Sequence, residues 1–305
     1  MVKEKPYRCE KLSCGDRIFY FINCILLSII FLVICYPLVY VLSSSFSSAK
    51  DVVMGNVTFL PVNFSLEGYK KVLAYAQVYT GYYNTLIYTV LGTLLAVIVT
   101  LLCAYPLSRR ELPGKKGITF LFLFTMYFNG GMIPTYLLIK NLGLYNTRSV
   151  MIIPMAMSVF NMIIARTYFL ENIPEELYEY SKLDGCDDFT FFFRIVCPLS
   201  KTIIAVLVLF YAIKQWNSFF QAFLYLSDSR KFPLQLILRD ILVKSQHLAI
   251  VDSGMLSPEE ITRNANMAEL VKYCIIVVAS LPIICFYPFI QKYFVKGVTL
   301  GSVKG

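Results

Sequence analysis

The chain has 305 residues, of which 57% are hydrophobic and 15% charged, with mean hydropathy +0.64 and net charge +9. That balance excludes an ordinary soluble globular domain, which is about half apolar and about a quarter charged. The positive charge does not point to nucleic acid, because much of it sits at the two ends and in one short connection between apolar runs.

Five cations, Lys3, Lys5, Arg8, Lys11 and Arg17, precede a first apolar run at 18–42. Its apolar core exceeds the ~7–15 residues of a signal peptide, so the run is expected to stay as an anchor despite Ser43, Ser44 and Ser45 behind it. Five more runs follow at 85–107, 117–139, 149–170, 203–226 and 270–290. Each suits the roughly 20 residues that a helix needs to cross a ~30 Å hydrocarbon core. The runs are continuous rather than alternating, which predicts helices and not a barrel. Asn56–Pro61 and Phe64–Tyr69, before the second run, read as a small ordered element. Arg109, Arg110, Lys115 and Lys116 fill the second connection, whereas 141–147 carries no charge.

Asn129-Gly130-Gly131 with Pro134 is expected to interrupt the third run, and Pro282 and Pro288 the sixth. Such breaks line a water-filled path or serve close helix packing, and both readings stay open for the glycine pair. The long segment 227–269 has room for one or two short helices; Ser257-Pro-Glu-Glu260 is a good helix start, with Ser257 as cap and Pro258 at the first turn. Lys292, Lys296 and Lys304 follow the last run. Cation placement puts both termini, the second connection and the segment 170–201 in the cytoplasm. None of the nine cysteines lies in the loops expected outside; Cys9 and Cys14 lack a second ligand pair, and His247, the one histidine, is on the other side. No metal site is expected.

The polar island of about 30 residues at 170–201 is longer than a simple connector needs. Pro174 opens a helix whose first turn holds Glu175 and Glu176, favoured by the helix dipole. Ile173, Leu177, Tyr180 and Leu183 recur at helical spacing, and Gly185 ends the helix. Asp187 or Asp188 caps a second helix with a stripe of Phe189, Phe192, Phe193 and Val196, up to Pro198. A helix lying on anionic lipid favours a basic face, and Glu175, Glu176, Glu179, Asp184, Asp187 and Asp188 make this one acidic. A docking helix for a soluble partner is the expectation.

The island also resembles the signature loop of ABC importer permeases: Glu-Ala-Ala, three residues, Gly, nine residues, Ile, one residue, Leu-Pro. Here Glu179, Gly185, Ile195 and Pro198 stand at that spacing, while Tyr180, Ser181 and Cys197 depart from Ala, Ala and Leu. Leu183-Asp184-Gly185, Trp216-Asn217 and the ending Phe294–Gly305 are similar to the carbohydrate branch, in particular the second permease of maltose-type systems. Ala104–Arg109 and Phe128–Tyr136 resemble a subgroup that handles complex oligosaccharides.

The resemblance implies an all-α integral membrane protein of six transmembrane helices, with both termini cytoplasmic and a coupling-helix loop at 171–198 between helices 4 and 5. Residues 1–17 would be a cytoplasmic N-terminal segment, 18–290 the permease domain and 291–305 a cytoplasmic tail. Glu176, Glu179, Tyr180, Ser181, Leu183, Asp184, Gly185, Ile195 and Pro198 would couple to an ATPase, with Gly185 as the turn of a rigid lever. The tail, with Gly297, Gly301 and Gly305, would reach between two ATPases. The implied partners are a second permease in a heterodimer, two copies of a cytoplasmic ATPase carrying ATP and magnesium, and an extracellular lipid-anchored or periplasmic sugar-binding protein. All sit at a bacterial cell membrane, and no cofactor is bound by this chain.

No Gly-x4-Gly-Lys-Ser/Thr loop is present; Pro113–Gly117 lacks the earlier glycine and the hydroxyl. Gln215, Trp216 and Asn217, beside Lys214 midway along the fifth run, suit a sugar by stacking and hydrogen bonding. They suit an interhelical contact equally. Asn129 is a further pathway candidate, and Arg166 is expected to snorkel or to pair with an acidic loop residue. An ion-coupled secondary transporter would need a central Asp, Glu or His, which no run has. A receptor or scaffold would not need the glycine-centred island, and a membrane enzyme would need a nucleophile and base.

Overall fold

The computed structural model of the protein describes residues 13–251 and 257–302. Among these residues every regular element is helical. Three helices are long and apolar enough to cross a membrane, within Gly15–Ser45, Ala76–Ser108 and Glu259–Cys285. Three further candidates are helix pairs bent by 111°, 46° and 82°, so the spans number three, or up to six if each pair is one span.

The chain divides into two compact units, one of Met1–Lys71 and Leu248–Val277, the other of Val72–His247 and Val278–Gly305. In the first lie α1 (Cys14–Ser45), α2 (Ala49–Val53), most of α3 (Glu67–Leu73) and the start of α14 (Pro258–Ser302). The serines after the first run are packed, not cleavage-like: Ser43 donates to the Phe59 carbonyl at 2.7 Å, and Ser45 accepts from Tyr69 Oη at 2.7 Å. A Cβ on Gly68 would come within 2.5 Å of Cys274 Sγ and 3.0 Å of Leu270 Cγ, so a glycine is what lets α3 approach α14. The expected helix start at Ser257 is present, its Oγ accepting from Glu260 N and its N–H donating to the Glu260 carboxylate.

The loop before the second run is ordered around Asp51. Its carboxylate accepts from Ser48 Oγ (2.6 Å), Asn56 Nδ2 (2.9 Å) and Asn63 Nδ2 (2.7 Å). These bonds hold its pKa down at about 2. A carboxylate whose folded pKa is depressed stabilises above its ordinary pKa and stops doing so as pH falls through the folded value. Protease nicking of segment 47–63 is therefore expected to rise as pH drops from about 4 toward 2. Asp51→Asn should be nicked faster at neutral pH with little further rise; a rise equal to that of the parent protein would disprove this role.

The second unit holds α4 (Ala76–Ser108), α5 (Lys115–Tyr127), α6 (Met132–Asn141), α7 (Val159–Asn172), α8 (Glu175–Leu183), α9 (Asp188–Phe191), α10 (Cys197–Leu199), α11 (Lys201–Trp216), α12 (Phe220–Tyr225) and most of α13 (Leu234–Val251). Buried Asn84 and Tyr88 of α4 bond the carbonyls of Arg230, Lys231 and Phe232 at 2.8–3.1 Å, tying that helix to the segment before α13. The third run breaks where Asn129 and the glycines stand: Asn129 Oδ1 accepts from Gly131 N at 3.0 Å, and the pair α5–α6 bends by 111°.

The fourth run opens with 3-10 turns at Arg148–Met151 and Ile153–Met155 and becomes α-helical only at Val159. Tyr211 Oη explains how the gap is tolerated, because it accepts from Ser158 N at 3.0 Å and bonds Thr100 at 2.6 Å. The fifth run is not one helix either. It ends at Trp216, where the side chains Asn217 Nδ2 and Ser218 Oγ donate to the carbonyls of Ile213 and Gln215 alongside the backbone amides of the same two residues.

One sequence expectation is overturned in α14. The helix runs through Pro282 and Pro288 without interruption and continues to Ser302. In an apolar segment a proline removes one hydrogen bond, whereas ending the helix would expose several backbone groups.

Candidate functional site

The island is built outward from the end of α4. Tyr105 packs its ring against Phe169, Phe191 and Phe192 at centroid distances of 6.0, 6.4 and 5.1 Å. Ala104, Phe169, Ile173, Tyr178, Phe191 and Val196 complete the same core. Arg109 lays its guanidinium 3.8 Å over the Tyr178 ring, and Arg110 pairs with Glu175 at 2.8 Å. The exposed ion pair contributes about 1 kcal/mol at most. The stacked arginine and the aromatic core do more of the anchoring. Tyr105, Ser108, Arg109, Ile173 and Glu176 line a cavity of about 230 Å³ beside this seat.

Tyr178 Oη donates to Asp188 Oδ1 at 2.9 Å, and Lys182 Nζ meets the same oxygen at 2.9 Å, which ties α8 to α9. Burial first, and then the bond to Asp188, push the Tyr178 hydroxyl pKa up. Asp187 is the cap of α9, accepting from Thr190 N at 3.2 Å, and hydrogen bonding from the Thr190 side chain first, then from its backbone, lowers the Asp187 pKa. Between the helices, Gly185 takes φ +75°, a left-handed conformation that costs other residues about 1–2 kcal/mol. Gly185 N bonds Lys182 O at 3.0 Å and Cys186 N bonds Ser181 O at 2.9 Å, the paired bonds of a Schellman C-cap.

The inward face of α8 is not the stripe of Leu177, Tyr180 and Leu183. Tyr178 and Ser181 are buried and Leu177 partly so, while Tyr180 is 67% and Leu183 84% exposed. Ser181 spends its hydroxyl on the Tyr178 carbonyl, so a small residue suits that place. Glu176, Glu179 and Asp184 are exposed. The stripe on the second helix is also corrected: Phe191, Phe192 and Val196 point inward, with Phe189 72% and Phe193 57% exposed. A π-turn over Phe192–Val196 shifts the phase that α-helical spacing assumes. Ile195 is partly buried and Pro198 exposed.

Sequence reading missed the seat itself. Tyr105 stands in the sequence only as part of the motif Ala104–Arg109, Arg109 as part of it and as a topology charge, Arg110 only as a topology charge, and nothing marks Tyr178 within the island. Arg166 is a correction as well, since its Nε donates to the Leu107 carbonyl at 2.9 Å and not to an acidic residue. The end of α4 lacks amides to fill its last carbonyls, and the arginine supplies one.

Of the pathway candidates, Gln215 and Trp216 turn inward. Gln215 Nε2 donates to the Met151 carbonyl, Trp216 Nε1 donates to the Ala279 carbonyl at 3.1 Å, and the indole packs 6.4 Å from Tyr82. Asn217, Lys214 and Asn129 are exposed. Gly297 and Gly301 lie in α14, and Gly305 falls outside the described residues.

The described residues thus form a helical protein with several candidate membrane spans, in which one short helix is locked on one side and leaves Tyr180 and Leu183 exposed on the other. No protein-family profile matches the chain. It is 41% identical over 282 residues to the polygalacturonan/rhamnogalacturonan transport system permease protein YtcP of Bacillus subtilis (strain 168), covering 91% of this chain and 95% of that one. The melibiose/raffinose/stachyose import permease protein MelC of the same organism is 29% identical over 254 residues, 80% and 83% of the two chains. A crystal structure of a bacterial ABC transporter involved in the import of the acidic polysaccharide alginate contains a chain that superposes with TM-score 0.80 and 36% identity, over 93% of this chain and 99% of that one. The chain belongs to the permeases of ABC sugar importers.

Proposed function

We propose that the chain is one of two permeases in an importer for oligosaccharides cut from acidic polysaccharides. Two copies of a cytoplasmic ATPase, carrying ATP and magnesium, drive it, and an extracellular lipid-anchored or periplasmic binding protein delivers the sugar. The three continuous helices and three bent pairs then make six spans, with both termini and the island in the cytoplasm of a bacterium. Helix α8 is the coupling helix, seated in a cleft of one ATPase, and the stretch through Gly297, Gly301 and Gly305 reaches between the two. Asn217 and Asn129 stay on the open face toward the path, while Gln215 and Trp216 set the bend from behind.

The observation that carries this is the division of α8. One side is locked by Tyr178, Ser181 and Arg109, and the other leaves Tyr180 and Leu183 bare at the helix end. Solvent does not favour that, and a protein cleft does. The acidic polysaccharides named for two relatives support the substrate class. The test is to express the chain with its neighbouring genes, isolate it in detergent and reconstitute it. An ATPase is expected to copurify, and oligogalacturonate uptake to need ATP; no copurifying ATPase, or uptake indifferent to ATP, would overturn the proposal.

A further inference from the structure

Lys214 is a cation within the apolar run 203–226, in the last turn of α11, and the structure leaves it exposed. Gln215 and Trp216, the next two residues, are buried against the chain's own carbonyls, while Lys214 in the last turn of α11 and Asn217, which caps it three residues on, are both exposed. Among the described residues the Lys214 ammonium has no hydrogen bond or ion pair. A charge at membrane depth costs several kcal/mol unless it meets a counter-charge or water. The described chain supplies no counter-charge, which leaves the ammonium open to an anion from outside it.

The surroundings favour a sugar acid as that anion. Asn217 uses its Nδ2 on the Ile213 carbonyl at 3.0 Å and keeps Oδ1 free to accept from a hydroxyl. Helix α11 stops there, and the rings of Phe219 and Phe220, both exposed, follow within the next few residues. A compact ammonium, an amide oxygen and open aromatic faces together match a carboxylate, hydroxyls and C–H faces on one sugar unit.

We propose that Lys214, with Asn217 beside it, forms a transient subsite for the carboxylate of a uronate residue as an anionic oligosaccharide passes. This rests on the import reading above and names the part of this chain that selects for charge. The site has to hold the anion weakly enough to release it, which suits one solvated ammonium better than a bidentate arginine pair.

The experiment uses the reconstituted transporter with its ATPases and binding protein, and trigalacturonate as the probe. Lys214→Met and Lys214→Gln are expected to lower its uptake about ten- to a hundredfold, the scale of one charge-assisted bond. Lys214→Arg, which keeps the charge, should restore most of it. Uptake unchanged in the neutral variants, or equally poor in the arginine variant, would overturn the subsite. Loss of the second permease on purification of the Met and Gln variants would assign the counter-charge to that chain and overturn it too. A parent transporter that carries only neutral oligosaccharides sinks this proposal alone, whereas one that carries no oligosaccharide sinks the import reading itself.

Discussion

Leu183→Asp is expected to separate the transporter from its motor while leaving the permease folded. The side chain is 84% exposed at the end of α8 and supports nothing in its own chain. A substitution at such a place changes stability by no more than about 0.5 kcal/mol. If α8 seats in an ATPase cleft, an aspartate there puts an unpaired charge into an apolar contact. Interface anchors of this kind contribute about 2 kcal/mol or more, so affinity for the ATPase should fall at least about thirtyfold. Tyr180→Asp should act in the same direction. Titrating purified ATPase onto the reconstituted permease pair measures the first quantity, and the thermal midpoint in detergent the second. Equal ATPase affinity in parent and variant would end the coupling role of this face.

The second large effect is expected at Tyr105, inside the seat. Tyr105→Ala removes a buried ring from contact with Phe169, Phe191 and Phe192, and core truncations of this size cost about 3–5 kcal/mol. The companion substitution has the opposite expectation. The Tyr105 hydroxyl is buried with no hydrogen-bond partner among the described residues. Tyr105→Phe therefore removes an uncompensated polar group and should be neutral or stabilising, by up to about 1 kcal/mol. Thermal unfolding of the two variants decides it: if Phe destabilises as much as Ala does, the hydroxyl and not the ring holds the island in place. Loss of the ring should also weaken ATPase binding, because α8 would no longer be held at a fixed angle.

Membrane residence, helical class and the island's two short helices were legible in the chain because they rest on local signals. Runs of apolar residues report burial in lipid, and Pro174, Gly185 and Asp187 act on the backbone where they stand. What was not legible depended on distant partners. Nothing near Arg166 announces the Leu107 carbonyl that it caps, and nothing near Ser158 announces Tyr211. The fifth run looked like one helix because hydropathy does not register that Asn217 and Ser218 turn their side chains onto the preceding carbonyls. Pro282 and Pro288 misled in the other direction, since their penalty is judged against water and the alternative in an apolar segment is worse. At the candidate site the spacing of Glu179, Gly185, Ile195 and Pro198 located the island but not its orientation. The bare side chains are Tyr180 and Leu183 because Tyr178, one step around the helix, takes the inward place.

The π-turn over Phe192–Val196 holds one residue more than an α-turn would. Length is therefore negotiable at this point. Deleting one residue there would let the turn relax to ordinary α-helix while α9 and α10 keep their facings. The same deletion inside α11 would rotate every later side chain by about 100°, turning Trp216 away from Tyr82 and the Ala279 carbonyl. Chains that share this architecture can differ by one residue between Asp187 and Pro198 and still present the same surface to a neighbour. A gap in that stretch of an alignment would mark a change in helical winding and not a lost element.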